Sequence, residues 1–209
     1  DMACGAWLES ELREAGYATA RHDFAVPFFE VHASQLSAGE PAAPVVPQAI
    51  VVPTGPEGIT GPLAVVDPFG TDGALPDGAI AVLELPYRRW SSLHDGQIVA
   101  MVRHAFARGA RATLLVTHGP TDKAIALNSD GNHPLFDRPL AVLAPEAFAA
   151  IRKSLAERVT LTIDGTAGQR EAFNVTGRMD RGAVRLHDPG RPTVTVGAAS
   201  MDHLGHRQR

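Results

Sequence analysis

The chain has 209 residues, 44% of them hydrophobic and 20% charged, which is ordinary globular usage and enough for one large domain or two small ones. A formal net charge of −4, with no basic run, argues against a nucleic-acid partner. No apolar run approaches the about 20 residues of a membrane-spanning helix. The single cysteine, Cys4, allows no internal disulfide, so pairing does not report the redox compartment.

In chain order, Cys4, Trp7, Leu8, Leu12 and Ala15 recur at helical spacing, which predicts an amphipathic helix over Met2–Ala15 with Gly16 as its stop. Two β-like runs follow, Tyr17–Val26 and Phe28–Ala33, divided by Pro27. Ser37–Pro47 is rich in Pro, Ala and Gly and reads as a linker. From Gln48 to Asp164, short apolar runs alternate with dense turn residues: Ala49–Val52, Leu63–Val66, Ile80–Leu85, Thr113–Val116 and Leu140–Leu143. That pattern predicts a β-rich domain. Two helices interrupt it. Gln97–Arg108 has Asp95 as N-cap and Gly109 as stop, and Pro145–Glu157 carries its proline in the first turn. The order Ile80–Leu85, helix, Thr113–Val116 is a βαβ unit whose strands should run parallel. Val159–Ile163 is a further strand, Gly165–Gly168 a turn-rich joint, and Ala172–Thr176 and Thr193–Val196 two last strands.

Two stretches carry a family resemblance. The first is Gly78-Ala-Ile-Ala-Val-Leu-Glu-Leu, the helix ending Ala105-Phe-Ala-Arg-Gly109-Ala, and the strand reaching Val116. Arg138-Pro-Leu-Ala-Val-Leu143, Pro145–Leu155 and Val159–Ile163 follow it. This order resembles the protease-associated (PA) domain. The second stretch is Phe173-Asn-Val-Thr-Gly177, then Pro192-Thr-Val-Thr-Val196-Gly-Ala-Ala-Ser-Met-Asp-His-Leu-Gly205. It resembles the start of the peptidase domain in zinc aminopeptidases of the bacterial leucine-aminopeptidase and glutamate-carboxypeptidase type. There an Asn-Val-Ile-Gly strand precedes Val-Val-Val-Gly-Ala-His-Tyr-Asp-His-Leu-Gly.

The resemblance implies an α/β (α+β) chain: a β-rich PA-like domain over 48–164, inserted in the first elements of an incomplete α/β peptidase domain at 1–36 and 169–209. It implies the N-terminal portion of a zinc-dependent aminopeptidase-family protein, truncated before the catalytic domain, with the PA domain as an accessory substrate-capping or interaction module. The family reaction is hydrolysis of an N-terminal amide at a two-zinc site. In the family motif the first His binds zinc and the Asp two residues later orients it. With Asp202-His203-Leu204-Gly205 aligned, Ser200 takes the zinc-ligand position and Asp202 remains as an orienter. Serine is a poor replacement for imidazole on zinc. No catalytic residue, metal ligand or cofactor is therefore assigned within this chain, and zinc is expected in a full-length relative. Two functions stay open: an aminopeptidase-family portion inactive alone, and a stand-alone PA-type binding module without catalysis. A peptide or protein substrate of the full-length relative, self-association through exposed apolar faces, and a secreted or periplasmic location follow from the same resemblance.

Asp202, His203 and His206 read as a terminal tail rather than a metal cluster. Asn128–His133 has the oxygen-rich look of a calcium loop but lacks the spaced acids, and reads as a turn. Thr54–Gly61 lacks the phosphate-loop pattern and reads as a hairpin or turn. His118 follows a strand end, a position that can bind ligands in α/β sheets, but reads as a loop histidine without a role. Tyr87-Arg88-Arg89-Trp90 is the surface candidate, in which Arg88, Arg89 and Trp90 could meet a carboxylate or a partner peptide; it reads rather as Tyr87 and Trp90 covering the core edge with the arginines solvated.

Overall fold

The computed structural model describes residues 2–38, 42–48, 50–67, 70, 73–88, 92–129, 133–152, 158–179 and 194–198. Among them are three helices, α1 (Met2–Glu14), α2 (Gly96–Ala107) and α3 (Pro145–Ile151). The strands are β1 (Ala18–Ser37), β2 (Ala43–Pro47), β3 (Gly55–Val65), β4 (Ile80–Leu85), β5 (Ala112–Thr117), β6 (Leu140–Leu143), β7 (Arg158–Arg178) and β8 (Val194–Ala198). The class is mixed α/β. The chain divides into two compact units, one of residues 28–168 and one of residues 1–27 with 169–209.

In the 28–168 unit the strand order is β1-β2-β6-β5-β4-β3-β7, with a further β1–β7 pairing. β3, β4, β5 and β6 are mutually parallel, while β2 on β6 and β7 on β3 are antiparallel. The βαβ expectation holds: Ile80 to Leu85 pair in parallel with Ala112 to Thr117. Both faces of this block are covered, which explains its near-continuous apolar sequence. One face places Ala81, Leu83, Leu85, Leu115 and Val142 against Ile98, Val102 and Phe106 of α2. The other places Ile80, Val82, Leu114, Val116 and Leu143 against Phe148 of α3 and Val159, Leu161 and Ile163 of β7.

α2 begins and ends as its sequence dictates. The Asp95 carboxylate accepts from the backbone N–H groups of Gln97 and Ile98. At the other end Gly109 has φ +100, its N–H donates to Phe106 O, and Ala110 N–H donates to Ala105 O. That is a Schellman stop, which needs a residue tolerant of positive φ. Arg138 adds hydrogen bonds to the Phe106 and Ala110 carbonyls at 3.0 and 2.7 Å.

Four segments differ from the sequence expectation. β1 runs unbroken through Pro27, since a proline costs a strand only where its missing N–H is needed. The 37–47 linker contains β2, which is held between β1 and β6. The strand expected at 49–52 is displaced: Ile50 is left-handed at φ 53, and β3 starts at Gly55, inside the stretch expected to turn. A register shift between Gly55 and Ile59 absorbs the glycines there. Finally, 165–168 is no joint but the middle of the 21-residue β7. Gly165 and Gly168 lie under the rings of Phe29 and Phe28, which occupy the space a side chain would take.

In the other unit, α1 ends at Gly16 (φ 85), where Tyr17 N–H donates to Leu12 O. Gly5 packs on the Phe173 ring, and the Arg21 guanidinium lies 4.0 Å above that ring while pairing with Glu9. The inward face of α1 therefore uses Gly5, Leu8 and Leu12. Trp7 and Cys4 of the expected apolar stripe are exposed instead. β8 pairs antiparallel with β7, with Val196 in register with Val175.

Candidate binding site at the ends of the parallel strands

β4 and β5 stop level with one another, Leu85 opposite Thr117. Pro86 follows β4, and its missing N–H suits a strand end. Beyond the two ends lies a cavity of about 270 Å³. It lies within the 28–168 unit, at the carboxyl edge of a parallel sheet, where α/β proteins bind ligands.

Its buried lining is apolar: Leu85, Ile98, Met101 and Leu127. Ile125 and Pro86 extend that wall. The returning segment 125–128 is fixed by its backbone. Ile125 N–H donates to the Thr117 hydroxyl at 2.8 Å, Leu127 N–H to Gln48 Oε1 at 3.2 Å, and Leu93 N–H to Asn128 O at 2.7 Å. Gln48 and Thr117 are both buried, so each spends its polar group on holding this wall.

The exposed lining is polar. Glu84 Oε2 and His118 Nε2 are 3.2 Å apart. Arg88 donates to Asp95 Oδ2 at 3.3 Å and to Gln97 Oε1 at 2.7 Å. Asp95 thus divides its oxygens, Oδ1 capping α2 and Oδ2 holding Arg88. Tyr87, 58% exposed, completes the rim.

The structure brings Arg88 and His118 of the sequence candidates to one rim. Arg89, Trp90, Ser200, Asp202, His203 and His206 lie outside the described residues. Of the Asn128–His133 stretch, Asn128 is paired with Ser92 and Ser129 with His94 Nε2. Glu84, Met101, Ile125 and Leu127 were missed by the sequence reading. Glu84 carried a signal: it is the one charged residue of β4 and the one exposed residue in it.

The fit to zinc was tested on the donor set. Among the described residues no three His, Cys, Asp or Glu side chains come together as a metal site. Glu84–His118 and His32–Asp164, the latter at 3.8 Å, are pairs. A hydrolytic zinc needs about three protein ligands and an open position. The described residues do not fit such a centre.

No family model matches the chain, and no curated protein matches it. Solved structures do. A zinc aminopeptidase from Bacillus subtilis is similar over 88% of this chain and 42% of its own, with TM-score 0.66 and 17% identity. An aminopeptidase from Aneurinibacillus sp. is similar over 88% of this chain and 43% of its own, with TM-score 0.57 and 15% identity. A peptidase M28 precursor from Shewanella amazonensis is similar over 85% of this chain and 45% of its own, with TM-score 0.56 and 15% identity. The chain thus spans under half the length of each, and at these identities the likeness is one of fold.

Proposed function

We propose that this chain is the N-terminal portion of a zinc-dependent aminopeptidase-family protein. In this reading the 28–168 unit is a PA-type accessory domain that caps or selects peptide substrates. Helix α1 with parts of β1, β7 and β8 belongs to the first elements of the peptidase domain. Zinc belongs to the full-length relative, and the chain alone is inactive. A secreted or periplasmic location goes with the family resemblance.

The observation that carries the reading is fold likeness over 88% of the chain to a zinc aminopeptidase. The order of the Asn174-Val-Thr-Gly177 strand and the Asp202-His-Leu-Gly205 segment supports it independently. Ser200 at the aligned zinc-ligand position supports inactivity, because a neutral hydroxyl does not replace imidazole. The exposed Trp7 on α1 supports an apolar face for self-association or for further peptidase elements.

Two measurements test it. The coding DNA that follows Arg209, read in all three frames, is expected to encode carboxylate and histidine ligands of a zinc site. A stop codon with no such ligands in any frame overturns the peptidase portion of the reading. The purified chain is expected to hold no stoichiometric zinc and to leave leucine p-nitroanilide intact. Tight stoichiometric zinc with chelator-sensitive turnover, abolished by Asp202→Ala, overturns the inactivity.

A further inference from the structure

β4 and β5 are joined by α2, whose backbone groups pair among themselves. β5 and β6 are parallel neighbours too, but among the described residues of 118–139 there is no helix or strand. Such a chain must satisfy its backbone groups elsewhere. Segment 125–129 does so mainly on side chains. Ile125 N–H donates to the Thr117 hydroxyl and Leu127 N–H to Gln48 Oε1. Asn128 O accepts from Leu93 N–H and from the Ser92 hydroxyl. Leu127 is the one buried side chain of the five, and Ala126 and Asn128 are exposed. Few buried apolar contacts and no ladder mark a segment that opens more readily than the neighbouring sheet. Through Ile125 and Leu127 the same segment is a wall of the cavity. The wall made by Ile98 and Met101 of α2 is fixed at both ends, by the Asp95 cap and by the Gly109 stop with Arg138. Segment 125–129 is therefore the wall that can give.

We propose that 125–129 is a strap that closes over a small neutral apolar molecule held among Leu85, Ile98 and Met101. It opens as one unit with the sheet intact, and Thr117 and Gln48 are its latches. The latches reach it from two places, Thr117 from the end of β5 and Gln48 from just past β2. The strap closes only when both are engaged, so each latch acts on the whole segment. A ligand enclosed by the closed strap is released when the strap opens. Binding therefore lowers the open fraction by the factor 1 + [L]/Kd. The device belongs to the 28–168 unit and depends neither on zinc nor on the peptidase reading.

The test is amide hydrogen exchange of the full chain by ¹H–¹⁵N NMR, without and with indole as the neutral apolar probe. In the parent chain Ile125 and Leu127 are expected to share one protection, lower by about tenfold or more than that of Leu114 and Leu115. Indole should shift the amides of Leu85 and Ile98. At about ten times its Kd it should slow exchange at Ile125 and Leu127 by about tenfold each. Each latch is then removed and the amide at the other one is read. Thr117→Val should speed exchange at Leu127, and Gln48→Met at Ile125, by about fivefold to a hundredfold, the effect of one buried hydrogen bond. Strap amides as protected as those of β5 overturn the proposal, as do protections at Ile125 and Leu127 that differ by more than about tenfold. So does an unmoved amide opposite a removed latch. Indole that leaves Leu85 and Ile98 unshifted, or shifts them without slowing the strap, overturns it as well. If a latch variant does not fold, the parent exchange and the indole titration decide.

Discussion

Two buried threonines on β5 make opposite predictions for the same substitution. Thr113 is fully buried between Ala81 of β4 and Leu140 of β6, and its hydroxyl has no hydrogen-bond partner among the described residues. Thr117 is 5% exposed, and its hydroxyl accepts the Ile125 N–H at 2.8 Å. An unsatisfied buried polar group costs about 1–3 kcal/mol. Thr113→Val removes such a group and keeps the branched shape, so it is expected to stabilise by about 1–2 kcal/mol. Thr117→Val creates the same defect at Ile125 and is expected to destabilise by about 1–3 kcal/mol. For a chain of this size each kcal/mol corresponds to roughly 2–4 °C in Tm. Urea unfolding followed by far-UV circular dichroism measures the sign of each. Hydrogen exchange at the Leu114 and Leu115 amides assigns the change to the central sheet, since the chain has two units and need not unfold in one step. A destabilised Thr113→Val would show that its hydroxyl is satisfied in solution, and the reasoning from orphaned groups would fail. Equal effects at both sites would refute it too.

Arg138→Met should cost about 1–3 kcal/mol, because it removes the two charge-assisted bonds to the carbonyls at the end of α2 while keeping the apolar stem; an unchanged urea midpoint would contradict this. Asp95→Ala should cost about 1 kcal/mol from the lost N-cap and remove one of the bonds that hold Arg88; Asp95→Asn, which can still cap, should recover most of the stability in the same titration. Trp7→Glu should reduce any concentration-dependent association seen by light scattering, since Trp7 is 59% exposed on α1; a parent chain monomeric at every concentration counts against the apolar-face reading.

Where one physical rule decides a segment, the sequence was enough. β4, β5 and β6 are buried on both faces, so every position must be apolar, and the runs stood out. α2 had a cap, a periodic face and a glycine stop, all local signals. The failures come from tertiary context. The glycines of β7 looked like a turn because the covering rings of Phe28 and Phe29 sit over 130 residues earlier in the chain. The start of β3 was misplaced because Thr54 bonds Ile163 across the sheet, a pairing no local window contains. Trp7 was assigned to the inner face of α1 by hydrophobicity alone, whereas the close approach of Phe173 selects the face with Gly5. The cavity was legible only in part. His118 at a strand end was visible, but its meeting with Glu84 depends on the register of β4 against β5.

That register explains why the rim exists at all. In a strand, successive side chains alternate between faces. Glu84 shares its face with Ile80 and Val82, and His118 follows the face of Leu114 and Val116, all four in one core cluster. Because Glu84 pairs with Val116, His118 comes two residues further along on the same side. A slip of one residue would send one of the two groups to the opposite face and separate them. The register is fixed deep in the sheet, where Val82 faces Leu114 and Leu83 faces Leu115, all four almost fully buried. Apolar packing there sets the register of every residue beyond it. The polar pair stands at the first level where burial ends, close enough to the core to be held in place and partly open to solvent. A conservative exchange among the apolar residues below therefore acts on the site by moving the strands, while Glu84→Gln acts on its charge alone. Val82→Ala, which leaves a void beside Glu84 on the same face of β4, should broaden the His118 resonances as well as lower stability, whereas Glu84→Gln should leave them sharp.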